Sequence, residues 1–181
     1  VLTSSALTRQ EKDAGVVSAA ANQAVLADQL ADNAVKLQIA STDTTRDSDV
    51  LAAERREAVR GMEIDLALIK ANHIGLRYGD DILGLPGDNS AGVEEKFISL
   101  EVTYEAMVSA AEELIAIGKS GARVLPPPVN AVVTTAGEFA TGMTAIVFAY
   151  QTEAEARVKS LKSTQYLVLS VTIVLLVFEG L

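Results

Sequence analysis

The sequence predicts an all-α fold: an antiparallel four-helix bundle whose last helix continues into a transmembrane helix. Three observations predict it. Along four long segments, apolar residues recur at alternating steps of three and four, the spacing of left-handed, coiled-coil-like packing. Stretches that are polar or rich in Gly and Pro separate these segments. The closing stretch, Tyr166 to Leu181, is apolar on every face, so a stripe has become a cylinder.

In the first segment the seam is Val16, Ala20, Gln23, Ala27, Leu30, Ala34 and Leu37, with Gln23 its one polar member. The polar stretch Ser41 to Asp49 follows, with several possible N-caps for the next helix. The second seam is Val59, Met62, Leu66, Ile69, His73 and Leu76, with His73 as its polar member. The stretch YGDDILGLPGDNSAG, Tyr78 to Gly92, holds four Gly and one Pro and reads as a loop. Its end reads as a turn that starts the third helix, capped by Ser90 or Asn89, with Leu83 and Leu85 folded back over the bundle end. The third seam is Val93, Phe97, Leu100, Tyr104, Met107, Ala111 and Leu114. Three consecutive prolines, Pro126 to Pro128, exclude a helix interior and mark the last break. The fourth seam is assigned to Val133, Ala136, Ala140, Met143, Val147, Tyr150 and Ala154. Two long connections and one shorter one then join four helices of roughly 25 to 30 residues, each about 40 Å long.

Composition fits this plan. Of 181 residues, 49% are hydrophobic but only 4% aromatic, so the core is built from Ala, Val, Leu and Ile, which suits closely packed helices. The net charge of -9 repels phosphate backbones and argues against nucleic acid as a partner. There is no Cys, which removes disulfides, thiol catalysis and thiolate metal sites together. The chain opens on Val1 and closes inside an apolar run, so it is expected to be a segment of a longer protein.

An even number of antiparallel helices puts the start of the first and the end of the fourth at the same end. That end is expected to face the membrane, with residues 1–162 as the bundle and residues 163–181 as most of a membrane helix. About 20 apolar residues span a bilayer. A second membrane helix before Val1 is then natural. Arg157, Lys159 and Lys162 precede the apolar run, but the other flank is missing, so charge does not set the orientation.

Catalytic chemistry finds little support, and no cofactor is implied. His73 is the only histidine, so no histidine-rich metal site can form. It is expected as a seam histidine hydrogen-bonded in the core, with ligand binding or pH sensing as the alternative. Glu94–Glu95 and Glu112–Glu113 are neighbours in sequence, point about 100° apart on a helix and read as solvated faces. Asp80 and Asp81 share a loop with Asp88 and Asn89, but their spacing is not that of an EF-hand. The glycines there lack the phosphate-loop and dinucleotide patterns and follow no strand.

Three stretches together resemble a known family. VVSAAANQAVLADQLA, Val16 to Ala31, is similar to the first-helix motif of PilJ-type sensor domains, the N-terminal domains of type IV pili methyl-accepting chemotaxis transducers, which are related to NarX-like nitrate/nitrite sensors. Val17, Ala20, Gln23, Leu26, Leu30 and Ala31 agree with it in kind. HIGLRYGDDILGLPGDNSAGVEEKF, His73 to Phe97, resembles the passage before the family's third helix. ARVKSLKSTQYLVLSVTIVLLVFEGL resembles its closing helix, which enters the membrane. The resemblance implies an extracytoplasmic sensory bundle in the bacterial inner membrane, facing the periplasm, working as a homodimer through its first helix and feeding a kinase, chemoreceptor or cyclase module. One departure stands out. Where nitrate sensors place an anion-binding arginine, this chain has Ala24, and the second motif arginine falls at Gln29. No Lys or Arg occurs between Lys12 and Lys36, and an anion buried without a cation is costly. Asn22, Gln23 and Gln29 are therefore the candidates for polar ligand contact, with a small ligand and a periplasmic protein partner both open. The rival reading is a membrane-anchored structural or adaptor bundle without signalling output.

Overall fold

The computed structural model describes the backbone of residues 2–179 and the side chains of residues 11–160. The chain forms an all-α, antiparallel four-helix bundle: α1 (Leu2–Thr42), α2 (Ser48–Tyr78), α3 (Ala91–Ser120) and α4 (Pro126–Glu179). α1 packs against both α2 and α4, α3 packs against α4, and α2 and α3 meet less closely. Lys70–Glu112 and Lys119–Glu63 bridge that looser seam.

The helices start where chemistry lets them. Asp47 caps α2, its carboxylate accepting from the amides of Asp49 (2.8 Å) and Val50 (3.3 Å). Ser90, rather than Asn89, caps α3 through the Val93 amide at 3.2 Å. The three prolines form the first turn of α4, where an amide donor is not needed. The connections differ in length from the expectation. Only the α2–α3 loop is long; the other two are short because helix continues into the polar stretches. α1 and α4, at 41 and 54 residues, also exceed the expected length, because both run past the loop end of the bundle.

Every member of the α1 and α2 seams is buried. In α3 all are buried except Tyr104, which is half-buried. The α4 seam needs correcting. The buried stripe is Val129, Val132, Ala136, Phe139, Met143, Ile146 and Tyr150, while Ala140, Val147 and Ala154 are half-buried beside it and Val133 is exposed. Both stripes obey the three-four rule and share Ala136, Met143 and Tyr150. α4 is apolar on more than one face, so spacing alone does not choose between them; contact with α1 on one side and α3 on the other does.

Close approach is built in by small residues. A Cβ on Gly142 would sit 2.3 Å from the buried Leu100 of α3, so α3 and α4 meet there only because position 142 has no side chain. Two polar ties join α1 to α2, and the one between two side chains fixes the register. Gln23 donates Nε2 to the Ile69 carbonyl at 3.0 Å, and Asn33 donates to the Asp65 carboxylate at 2.9 Å.

At the end away from the overhangs, Arg55 of α2 satisfies carbonyls that α3 leaves open. Its guanidinium donates to Gly118 (2.9 Å), Ile117 (3.2 Å), Gly121 (3.2 Å) and Ala122 (2.5 Å). Ser41 of α1 accepts from the Val124 amide at 3.1 Å, tying the same end to α1.

α4 is the one helix among the described residues long and apolar enough to cross a membrane. Within Pro126–Ser160 that apolar character serves the bundle, where Phe139, Met143 and Ile146 are buried. The expected membrane run over residues 163–181 lies outside the described side chains; the backbone continues through it as helix to Glu179.

Replacing Arg55 by Met keeps the aliphatic stem and leaves those carbonyls without their donor. We expect a loss of about 2 kcal/mol, typical of hydrogen bonds to a charged group, seen as a lower urea midpoint with an unchanged m-value. Arg55→Lys should recover only part of it, because an ammonium cannot fork over several carbonyls.

Candidate functional site

The three sequence candidates do not converge. Gln23 is fully buried, and its amide is committed to Ile69; its Oε1 is buried without a partner. Asn22 and Gln29 lie two turns apart on the exposed outer face of α1. Polar chemistry gathers instead toward the loop end of the bundle.

His73 sits on the α2 seam, 3% exposed, as its spacing predicts. Its imidazole stacks on Tyr104 with centroids 3.9 Å apart and planes 8° from parallel. Phe97 meets it edge-on at 5.6 Å and Phe139 at 6.1 Å. The expected hydrogen bond is not formed. Both ring nitrogens lack a partner, and Nε2 stands 3.8 Å from the Glu101 carboxylate, beyond hydrogen-bond range. The reason lies one turn along α2. Arg77 takes Glu101 with one nitrogen and Glu94 with another, the latter at 2.7 Å, which holds the carboxylate away from the ring. Burial first, and then the Arg77 charge, push the His73 pKa down to about 4, so the ring is neutral at pH 7.

The loop that follows is shaped by its own backbone. Asp80 and Leu85 exchange hydrogen bonds at 2.8 and 2.9 Å, and the Asp80 carboxylate accepts from the amides of Ile82 and Leu83. Gly87, at φ 68°, crosses Gly79 so closely that a Cβ there would lie 2.2 Å from the Gly79 nitrogen. This folding turns Leu85 into the core and leaves Leu83 exposed, so only one of the two leucines covers the bundle end. Asp80 is thus spent on backbone, and among the described residues no three His, Asp or Glu side chains gather to hold a metal ion.

A cleft of about 730 Å³ opens between this loop and the overhanging parts of α1 and α4. Its walls form a chain of side-chain bonds. Asn89 donates to the Leu76 carbonyl at the end of α2 (2.9 Å) and accepts from the Tyr150 hydroxyl of α4 (2.6 Å). Ser90 donates to Glu153. Arg157 pairs with Asp13 of α1 at 2.8 Å and stands 3.7 Å from Glu153. Tyr150, Glu153 and Arg157 continue the α4 seam at steps of three and four, and Asp13 continues the α1 seam three residues before Val16. The stripe that builds the core thus turns polar where α2 and α3 end.

No family model, curated protein or solved structure matches the chain.

Arg77, Glu101, Tyr150, Glu153 and Asp13 are site residues that the sequence alone does not single out. The heptad spacing of Glu94 and Glu101 places both on one face of α3, a signal that was available, but the helix they face is set only by packing.

Because His73 titrates lower in the fold than the ordinary 6.5, unfolded chain binds the extra proton between those values. Stability from this group is therefore present above about pH 6.5 and is lost as pH falls toward 4, a total of about 3 kcal/mol. His73→Phe keeps the aromatic stack and removes both unpartnered nitrogens. Unfolding of wild type and variant followed between pH 7 and pH 4 should show the variant gaining relative stability as pH falls; parallel curves would contradict a neutral buried histidine.

Proposed function

We propose that the chain is the extracytoplasmic sensory bundle of a bacterial transmembrane receptor. It faces the periplasm from the inner membrane, acts as a homodimer and drives a histidine kinase, chemoreceptor or cyclase module. The bundle itself is non-catalytic. One observation carries the reading: α4 is a single unbroken helix from the end clasped by Arg55, through the core, past the cleft and into the apolar run. A displacement anywhere along it travels to its end, because a helix is stiff on this scale. The likeness of three stretches to PilJ-type sensors supports the same conclusion, and Ala24, on the α1 stretch without cations, argues against nitrate held in that family's way.

The overhang suits a movable joint. Asp13–Arg157 is the described ion pair between α1 and α4, and both side chains are partly exposed. Such a pair is worth at most about 1 kcal/mol, so sliding α1 past α4 costs little there. Heptad interfaces offer discrete alternative packings, the kind of two-state element that signalling requires. Asn22 and Gln29 are exposed on the outer face of α1, which supports contact there with a second copy or a periplasmic partner.

The test joins the full chain to the cytoplasmic part of a receptor kinase and inserts alanines after Lys159. One added residue turns everything beyond it by about 100°, whereas seven restore the phase. A sensor gives output that changes severalfold with one residue and returns with seven. Equal output from all constructions would sink the proposal in favour of a passive anchor.

A further inference from the structure

We propose that the cleft at the loop end binds a small zwitterion, a molecule with an ammonium and an acidic group on a short apolar body. Asp88 receives the ammonium and Lys12 the acid. The assignment rests on the sensory reading for its purpose, since the ligand would be the stimulus.

Most polar groups around the cleft already have partners. Arg157 is engaged by Asp13 and Glu153, and Glu153 also accepts from Ser90. Asn89 is engaged at both ends of its amide. Two charged side chains lining the cleft remain, Lys12 from α1 and Asp88 from the loop. Among the described residues neither makes a hydrogen bond or ion pair, they are of opposite sign, and they stand on different walls. The floor between them is apolar: Val16, Leu76 and Leu85 are buried there with the Tyr150 ring.

Other ligand classes fit less well. An apolar molecule would strip water from Lys12 and Asp88 and return nothing. A dianion would meet Asp13, Asp88 and Glu153 against two cations, one of them already paired. Burial first, and then Glu153, Glu94 and Asp88, hold the Tyr150 hydroxyl above its ordinary pKa, so the floor keeps a neutral phenol. The unpaired carboxylate of Asp88 puts the ammonium on the loop side, and Lys12 puts the acid on the α1 side. A ligand held by both walls would tie α1 to the α2–α3 loop across the joint where α1 and α4 slide.

Two sources carry this chemistry: a free amino acid, or a phosphoethanolamine headgroup at the membrane surface toward which α1 and α4 extend. Calorimetric titration of the full chain in detergent, with L-leucine and with glycerophosphoethanolamine, the phosphodiester headgroup without its acyl chains, separates them. Leucinamide and 4-methylpentanoate serve as single-charge controls. We expect a dissociation constant in roughly the micromolar to millimolar range, weakened about tenfold or more by Lys12→Gln, by Asp88→Asn and by loss of either ligand charge. Tighter binding of glycerophosphoethanolamine assigns the lipid source, and tighter binding of leucine the free one. Both substitutions are at exposed positions, and circular dichroism of each variant checks that it stays helical. No binding of either zwitterion up to about 10 mM, or binding indifferent to both substitutions, overturns the site. The titration needs no output module, and the alanine insertions need no ligand. A silent titration with phase-dependent output therefore removes the site alone, and binding with phase-independent output removes the sensory reading alone.

Discussion

The α1 seam is the constraint on which the bundle depends. Ala20, Ala27 and Ala34 alternate with larger residues and are fully buried, so α2 and α4 both approach α1 closely. Gln23 sits in that seam, where an unpaired amide would be costly. Its Nε2 finds the Ile69 carbonyl. Sliding α1 by a heptad would keep the apolar pattern and offer Gln23 an equivalent main-chain carbonyl, but it would part Asn33 from the Asp65 carboxylate farther along the same helices. That side-chain pair specifies what the apolar members leave degenerate. The glycines extend the logic to α3, where Gly118 lies against Leu37 and Val59, and Gly142 against Leu100.

With register fixed, the two ends of the bundle are held by different kinds of bond. At the Arg55 end the acceptors are main-chain carbonyls, and the donors cannot leave without orphaning buried or half-buried backbone. At the loop end the joints are mostly between side chains: Asn89 with Tyr150, Ser90 with Glu153, Arg157 with Asp13. Water can substitute for these groups at small cost. The loop end is therefore the more weakly tied of the two, since its bonds join partly exposed side chains.

Much of this was legible from spacing alone. A period of three and four residues located the buried faces of α1, α2 and α3, and it placed Gln23 and His73 inside despite their polarity. It failed on α4 because that helix carries two overlapping apolar stripes, and a one-dimensional pattern does not say which neighbour claims each. Cap chemistry narrowed the start of α3 to Asn89 or Ser90, and both are used: Ser90 caps α3 while Asn89 reaches back to α2. The site was less legible than the fold. Asn89 and Tyr150 are separated by all of α3 and the first half of α4, and Asp13 and Arg157 by most of the chain. No local rule couples such positions until the bundle closes. The missing His73 hydrogen bond was illegible for a different reason, since it depends on Arg77 winning a competition for Glu101.

That competition links the core to the cleft. His73, Leu76 and Arg77 occupy adjoining positions on the last turns of α2. Leu76 is buried against the core by its side chain and held by Asn89 through its carbonyl. A small change in core packing at Leu76 therefore moves an acceptor that Asn89 must follow. Asn89 is bonded to Tyr150, and Tyr150 begins the polar continuation of the α4 seam through Glu153 and Arg157. Leu76, Asn89 and Tyr150 are in direct contact across α2, the α2–α3 loop and α4. From Tyr150 the α4 backbone leads two turns on to Arg157 and its pair with Asp13 of α1. The loop end is thus where the last turn of α2 meets the side chains that join α4 to α1.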